Sequence, residues 1–351
     1  MKTVLMTGGT GHLGRDIVRL LTGDGNRVRI LARNPGQTPD VDWVKGDLGT
    51  GQGVADAVAG ADMVVHAATN SPAAQRGMLR PRDFVRSPSD VDVDGTRMLL
   101  AEASKGQVEH FLHISIIGVQ ESRLPYSRVK AAAEDLVKEG SVPWSILPAA
   151  GFHWLLARMF DTMAGRRVWP LPANLDMQPC DSADFAGYVI GCLNDGPRGI
   201  RPEFGGPQIR SMVDFARQYQ AIRDIRRRIL PLQMPAPMLR AAGRQTCQDG
   251  RRGDTTWSEW LARTRPARVG GARGECRCCW RSASAFAALR SESSQPAERR
   301  IPVRGRPAGR HQRRHGLSFL ERSGAPPARP YILAVDCSRR DCRTAFDSRA
   351  E

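Results

Sequence analysis

Tyr126 and Lys130 stand four residues apart in LPYSRVKAAAE. That stretch reads as a helix over 126–139 that ends at Gly140. A spacing of four is just over one helical turn, so both side chains project from the same face. A free phenol has a pKa of about 10 and is a poor base at neutral pH. An ammonium group held beside it favours the phenolate and lowers that value. A phenol and an ammonium so arranged can pass a proton to or from an oxygen, which is general acid–base chemistry.

A second group of residues points to a bound anion. Thr7-Gly8-Gly9-Thr10-Gly11-His12-Leu13-Gly14 joins a short apolar run to a helical pattern. Gly8 permits a tight turn, Gly11 lets a diphosphate approach the backbone, and Gly14 lets helix and strand pack closely. The helix start then offers unpaired N–H groups and the positive end of a dipole. With Thr10, His12 and Leu13 completing the loop, the pattern predicts a dinucleotide site. Where the second strand ends, an acid would bind the adenosine ribose of NAD. Arg33 stands there instead. A guanidinium suits a 2′-phosphate, so NADP is the predicted cofactor, with NAD possible; alternatively, Arg33 stacks on adenine. Asp47 can accept from the adenine amino group while Leu48 packs the ring. Ala67, Ala68 and Thr69 are small enough for a cofactor to lie across them.

These residues need elements to hold them. Apolar runs at 3–7, 27–32, 41–44, 61–68, 109–117 and 142–147 predict strands. Helical spacing at 12–22, 53–59, 90–104 and 126–139 predicts the helices between them. Such alternation predicts an α/β fold, a Rossmann doubly wound parallel sheet, over residues 1–148. Residues 149–265 are less regular, with helices at 152–163, 182–193 and 211–228, and read as a smaller region shaping a substrate pocket. His66, His110, His113 and His153 carry no assigned chemistry. Trp144, Trp154 and Trp169 are expected in the core or the pocket wall.

Taken in order, TGGTGHLG, the GDL after strand three, HAAT, VDVDGTRMLL, HISIIGV, LPYSRVKAAAE, VPWSILPA and QPCDSADFA resemble the short-chain dehydrogenase/reductase superfamily. The resemblance is to its atypical group, similar to NmrA and to NAD-dependent epimerase/dehydratase proteins, and it covers roughly residues 1–262. It implies hydride transfer, with Tyr126 as acid/base and Lys130 holding the nicotinamide ribose and tuning the phenol. It also places a serine or threonine just past strand five to hold the substrate carbonyl. Ser115 is the candidate, although Ile117 nearby cannot donate a hydrogen bond. Asp92 stands where the group often has asparagine. The resemblance leaves three activities open: an oxidoreductase acting on a small organic carbonyl or alcohol, a non-catalytic dinucleotide sensor, and a sugar-nucleotide epimerase or dehydratase. Tyr126 and Lys130 favour the first.

The net charge of +16 does not by itself imply nucleic acid. Residues 266–351 hold 18 Arg, no Lys and 8 acidic residues, a net of +10. The remainder carries only +6. This aperiodic Arg-rich tail predicts a disordered or non-native extension rather than a packed domain. Cys276, Cys278, Cys279, His311 and His315 lie there, but their spacing fits no pair of C-x2-C zinc ligands, and no metal is predicted. No run of about 20 apolar residues is present, and the start MKTVLMTGGTG reads as a strand running into glycines rather than a signal peptide. The expectation is a cytoplasmic protein, monomer or homodimer, with a small-molecule substrate and neither membrane nor nucleic acid as partner.

Overall fold

Apolar runs bounded by glycine form the strands. In the computed structural model, residues 1–264 are described. β1 (Thr3–Thr7), α1 (His12–Gly23), β2 (Arg27–Ala32), β3 (Val41–Lys45), α2 (Val54–Val58), β4 (Met63–His66), α3 (Pro72–Arg76), α4 (Thr96–Lys105), β5 (His110–Ile116), α5 (Pro125–Glu139) and β6 (Trp144–Ala149) follow in sequence. The six strands are parallel, in the order β3-β2-β1-β4-β5-β6. The chain builds outward from β1, then returns to build the other way from β4. That reversal opens a crevice beyond the C-terminal ends of β1 and β4, where ligands bind in such sheets. The doubly wound sheet expected from the alternation is the observed fold.

Both faces of the sheet are covered. Val4 and Met6 of β1 pack with Leu13, Ile17 and Leu21 of α1. Leu5, pointing the opposite way, packs with Val54, Leu99 and Val137 from α2, α4 and α5. This is the two-residue period of a strand buried on both sides.

Beyond β6 come α6 (His153–Met163), β7 (Val168–Pro172), β8 (Asp176–Met177), α7 (Ser182–Asn194), β9 (Gly199–Ile200), β10 (Phe204–Gly205), β11 (Arg210–Ser211), α8 (Met212–Arg223), β12 (Arg228–Leu232), α9 (Ala236–Ala242), β13 (Arg251–Arg252) and α10 (Trp257–Arg263). The sheet does not stop at residue 148. β10 lies parallel to β6, β13 parallel to β10, and β9 also pairs with β6. α7 covers the α1 side with Phe185, Ala186 and Val189. A second core gathers Phe160, Trp169, Tyr219 and Trp257 from α6, β7, α8 and α10.

The helix expected over 211–228 is shorter. α8 ends at Arg223 because Asp224 turns to φ +56°, and Arg228–Leu232 becomes a strand parallel to β7. The helix expected from residue 90 begins as a wide π-type turn over Asp90–Gly95 and becomes regular only at Thr96. The strand expected over 61–68 narrows to Met63–His66. The readings of the tail, including the cysteines and histidines weighed as zinc ligands, lie outside the described residues.

Candidate active site

The glycine loop has the shape its composition predicts. Gly8 takes φ +75°, and a Cβ there would meet Ala68 N at 2.7 Å and Ala67 O at 2.8 Å. At Gly14 a Cβ would overlap the Gly8 carbonyl oxygen, so this glycine sets how closely α1 approaches the turn. Gly11 differs: its Cβ would touch only Gly8 O, at 3.2 Å, and otherwise enter open space. Gly11 is also the N-cap of α1, and no side chain caps the first-turn N–H groups. A bare helix N-terminus beside an open backbone fits the diphosphate of a dinucleotide. Thr10, Gly11 and His12 are exposed along the loop, and Leu13 is buried beneath it. His12 stacks on Trp154 of α6, with ring centroids 4.4 Å apart and planes 17° from parallel.

The remaining dinucleotide candidates line the same edge. Arg33 is exposed just past β2. Asp47 is half-buried, and its Oδ1 accepts from Gly49 N at 2.9 Å. Leu48 is buried within the core, against Gly95, whose added Cβ would lie 3.0 Å from it. Ala67 and Ala68 abut Gly8.

Thr69 sits at the centre of a polar network. Its hydroxyl is 2.7 Å from Tyr126 Oη and donates to Asp92 Oδ1 at 2.7 Å. Asp92 Oδ2 accepts from Asn70 N at 2.9 Å. Lys130 Nζ lies 3.6 Å from Asp92 Oδ1 and donates to the Ile114 carbonyl at 2.9 Å. The Lys130 and Asp92 side chains are 4% and 0% exposed, whereas Tyr126 is half-buried and Thr69 open to the crevice. Tyr126 and Lys130 thus share a face of α5, as their spacing requires, and Asp92 stands behind both.

The electrostatics differ from the simple expectation of a phenol tuned downward by its lysine. Burial, and then the Asp92 carboxylate, hold the Tyr126 pKa above its ordinary value. Burial lowers the pKa of Lys130, against the opposing pull of Asp92 and Glu134. Without a bound dinucleotide, Tyr126 is a protonated phenol, the form that donates.

Ser115 is buried, and its hydroxyl donates to Glu134 Oε1 at 2.5 Å. Gln120 Nε2 and Lys138 Nζ complete the shell of Glu134, at 2.8 and 3.3 Å from Oε2. The structure therefore brings Ser115 to the next turn of α5, not to Tyr126. Nothing in the sequence pattern identified Thr69 as the phenol's partner; it stood out only for its small size. His66, assigned no chemistry, joins the site's supports: Nδ1 is 2.6 Å from Thr7 Oγ1 and Nε2 is 2.9 Å from Thr96 Oγ1. Trp169 is buried, and Trp144 and Trp154 are half-buried. Of the described helices, none is long and apolar enough to cross a membrane.

Known proteins share the family and the fold. A family model described as NAD(P)H-binding matches residues 8–195, more than half of the chain. The sterol demethylase protein B of Methylococcus capsulatus is 34% identical over 237 residues, covering 57% of this chain and 68% of that protein. The photosystem II assembly factor Ycf39 of Cyanophora paradoxa is 26% identical over 199 residues, covering 54% of this chain and 59% of its own length. The chain thus spans about three fifths of that factor. The enzyme WbmH of Bordetella bronchiseptica, solved with NAD+, superposes with a TM-score of 0.55 at 16% identity, covering 75% of this chain and 96% of that one. At that identity the likeness shows the fold alone.

Proposed function

Because the chain belongs to the NAD(P)H-binding family, within the atypical short-chain dehydrogenase/reductases, we propose that it is an NADP-dependent oxidoreductase interconverting a small organic carbonyl and its alcohol. One observation carries this reading. The half-buried phenol of Tyr126 stands one hydrogen bond from Thr69, in the segment that abuts the glycine loop. A reduced nicotinamide, when bound, supplies the hydride. The chain's own residues supply the rest. Tyr126 gives its proton to the carbonyl oxygen as charge develops there. Lys130, held by Asp92 and the Ile114 carbonyl, presents a cation for the ribose hydroxyls and for the phenolate that is left. Gly8, Gly11 and Gly14 shape the diphosphate cradle. Arg33 meets the 2′-phosphate.

A second reading, a non-catalytic dinucleotide sensor, is favoured by the diversion of Ser115 to Glu134. It leaves the expected carbonyl-holding hydroxyl out of the crevice. The retained phenol and ammonium favour the enzyme.

Tyr126→Phe separates the two. NADPH binding should survive, while turnover of a panel of aldehydes, ketones and quinones should fall by roughly two to four orders of magnitude, the usual share of a positioned acid. If NADPH binds tightly and no panel member is reduced, the sensor reading replaces this one.

A further inference from the structure

We infer that Thr69 and Asp92 are the positioning residues of Tyr126. The inference rests on the oxidoreductase reading for its catalytic consequence, but its geometry is independent of any substrate.

The direction of the hydrogen bonds follows from proton counting. A carboxylate only accepts, so the Thr69 hydroxyl proton is committed to Asp92 Oδ1 at 2.7 Å. Thr69 Oγ1 then accepts from Tyr126 Oη, also at 2.7 Å. The phenol's proton is therefore directed by a residue of the loop after β4. When Tyr126 has released its proton, the threonine hydroxyl can turn and donate to the phenolate. Asp92 keeps two other partners meanwhile, the Asn70 N–H and the Lys130 ammonium.

The backbone holds Asp92 equally firmly. It lies in the wide turn over Asp90–Gly95, a form of helix that recurs at functional sites. Thr96 Oγ1 donates to the Asp92 carbonyl at 2.6 Å and meets His66 Nε2 at 2.9 Å. Asn70 Nδ2 ties the start of the turn through Asp90 Oδ1 at 3.2 Å. A regular turn would advance residue 92 differently relative to α4, so the wide turn is part of what aims its carboxylate between Thr69 and Lys130. Ser115 takes no part in this network, since its hydroxyl donates to Glu134.

The test uses the full chain labelled with [13Cζ]tyrosine. The four tyrosines give four resonances, and Tyr126→Phe identifies the one that matters. Thr69→Val should move the Tyr126 resonance, because the hydrogen bond is lost. It should lower kcat roughly ten- to a hundredfold, the weight of one or two such bonds. Thr69→Ser should restore both the resonance and kcat, a rescue that a purely packing role would not produce. Asp92→Asn should move the same resonance; should that variant fail to fold, the valine and serine pair decides. A Tyr126 resonance unmoved by Thr69→Val overturns the inference, as does a serine variant no better than valine. If the resonance moves and is rescued but the wild type reduces no panel member, the positioning role stands and the oxidoreductase reading fails.

Discussion

Arg33 is the residue on which cofactor choice turns. It is exposed just past β2, where an acid would bind the ribose hydroxyls of NAD. Arg33→Asp removes a cation that suits a 2′-phosphate and substitutes a group that repels it. Hydrogen bonds to charged groups contribute roughly 1.5–3 kcal/mol, so NADPH affinity should fall about tenfold or more. Fluorescence titration with NADPH and NADH reads this directly, and a wild-type protein that binds both equally would remove the basis for the assignment. Charge at the residue scale also explains the resting phenol. Asp92 opposes the phenolate while it restrains the lysine, so acid and base partners are held together by one carboxylate. Breaking such a buried pair on one side strands the other charge.

At the scale of elements, the β1–α1 junction separates packing from binding. Gly14→Ala places a methyl group on the Gly8 carbonyl oxygen. Helix and turn must then part, which should cost about 1–3 kcal/mol of stability and weaken dinucleotide binding with it. Gly11→Ala meets a single atom at 3.2 Å and faces the diphosphate space. It should melt close to the wild type yet bind NADPH far more weakly. Thermal melts and NADPH titrations of the two variants test the division; equal loss of stability in both would contradict it. The wide turn before α4 is the second such element. Its role depends on hydrogen bonds from Asn70 and Thr96, residues that lie on either side of it in the chain.

The whole molecule carries two further expectations. Among the described residues four histidines are buried: His66, His110, His113 and His153. Burial holds His66 down to about 3, His110 and His153 to about 4, and His113 well below its ordinary value. In the unfolded chain each titrates near 6.5. Below that pH the unfolded chain takes up protons that the folded protein refuses, so stability is lost as pH falls from about 6.5 towards 4. The loss is up to about 2 kcal/mol for each histidine at pH 5. Tm should therefore drop steeply between pH 7 and pH 5, and a level Tm across that range would show that these rings are not held neutral. The second expectation concerns the last described helix. α10 ends at Arg263, with Trp257 and Leu261 buried in the second core. A chain ending at residue 265 should melt cooperatively and bind NADPH, whereas one ending at residue 250 loses β13 and α10 and should not. Loss of NADPH binding in the longer of the two would show that residues beyond 265 contribute.

The local sequence determined the strand–helix alternation, the glycine loop and the shared face of Tyr126 and Lys130. Each depends on neighbours within one or two turns: apolar period, the absence of a Cβ, or a spacing of four. Tertiary structure decided what those residues touch. Thr69 and Tyr126 are 57 positions apart, and their contact follows from the loop after β4 meeting the start of α5. Ser115 and Glu134 are 19 apart, and only the packing of α5 on β5 sends that hydroxyl away from the crevice. β12 finds its partner β7 some 60 residues earlier; its five residues hold no period strong enough to announce a strand. Pairings of this kind are created by closing long loops, so they belong to the folded molecule and not to any stretch of its sequence.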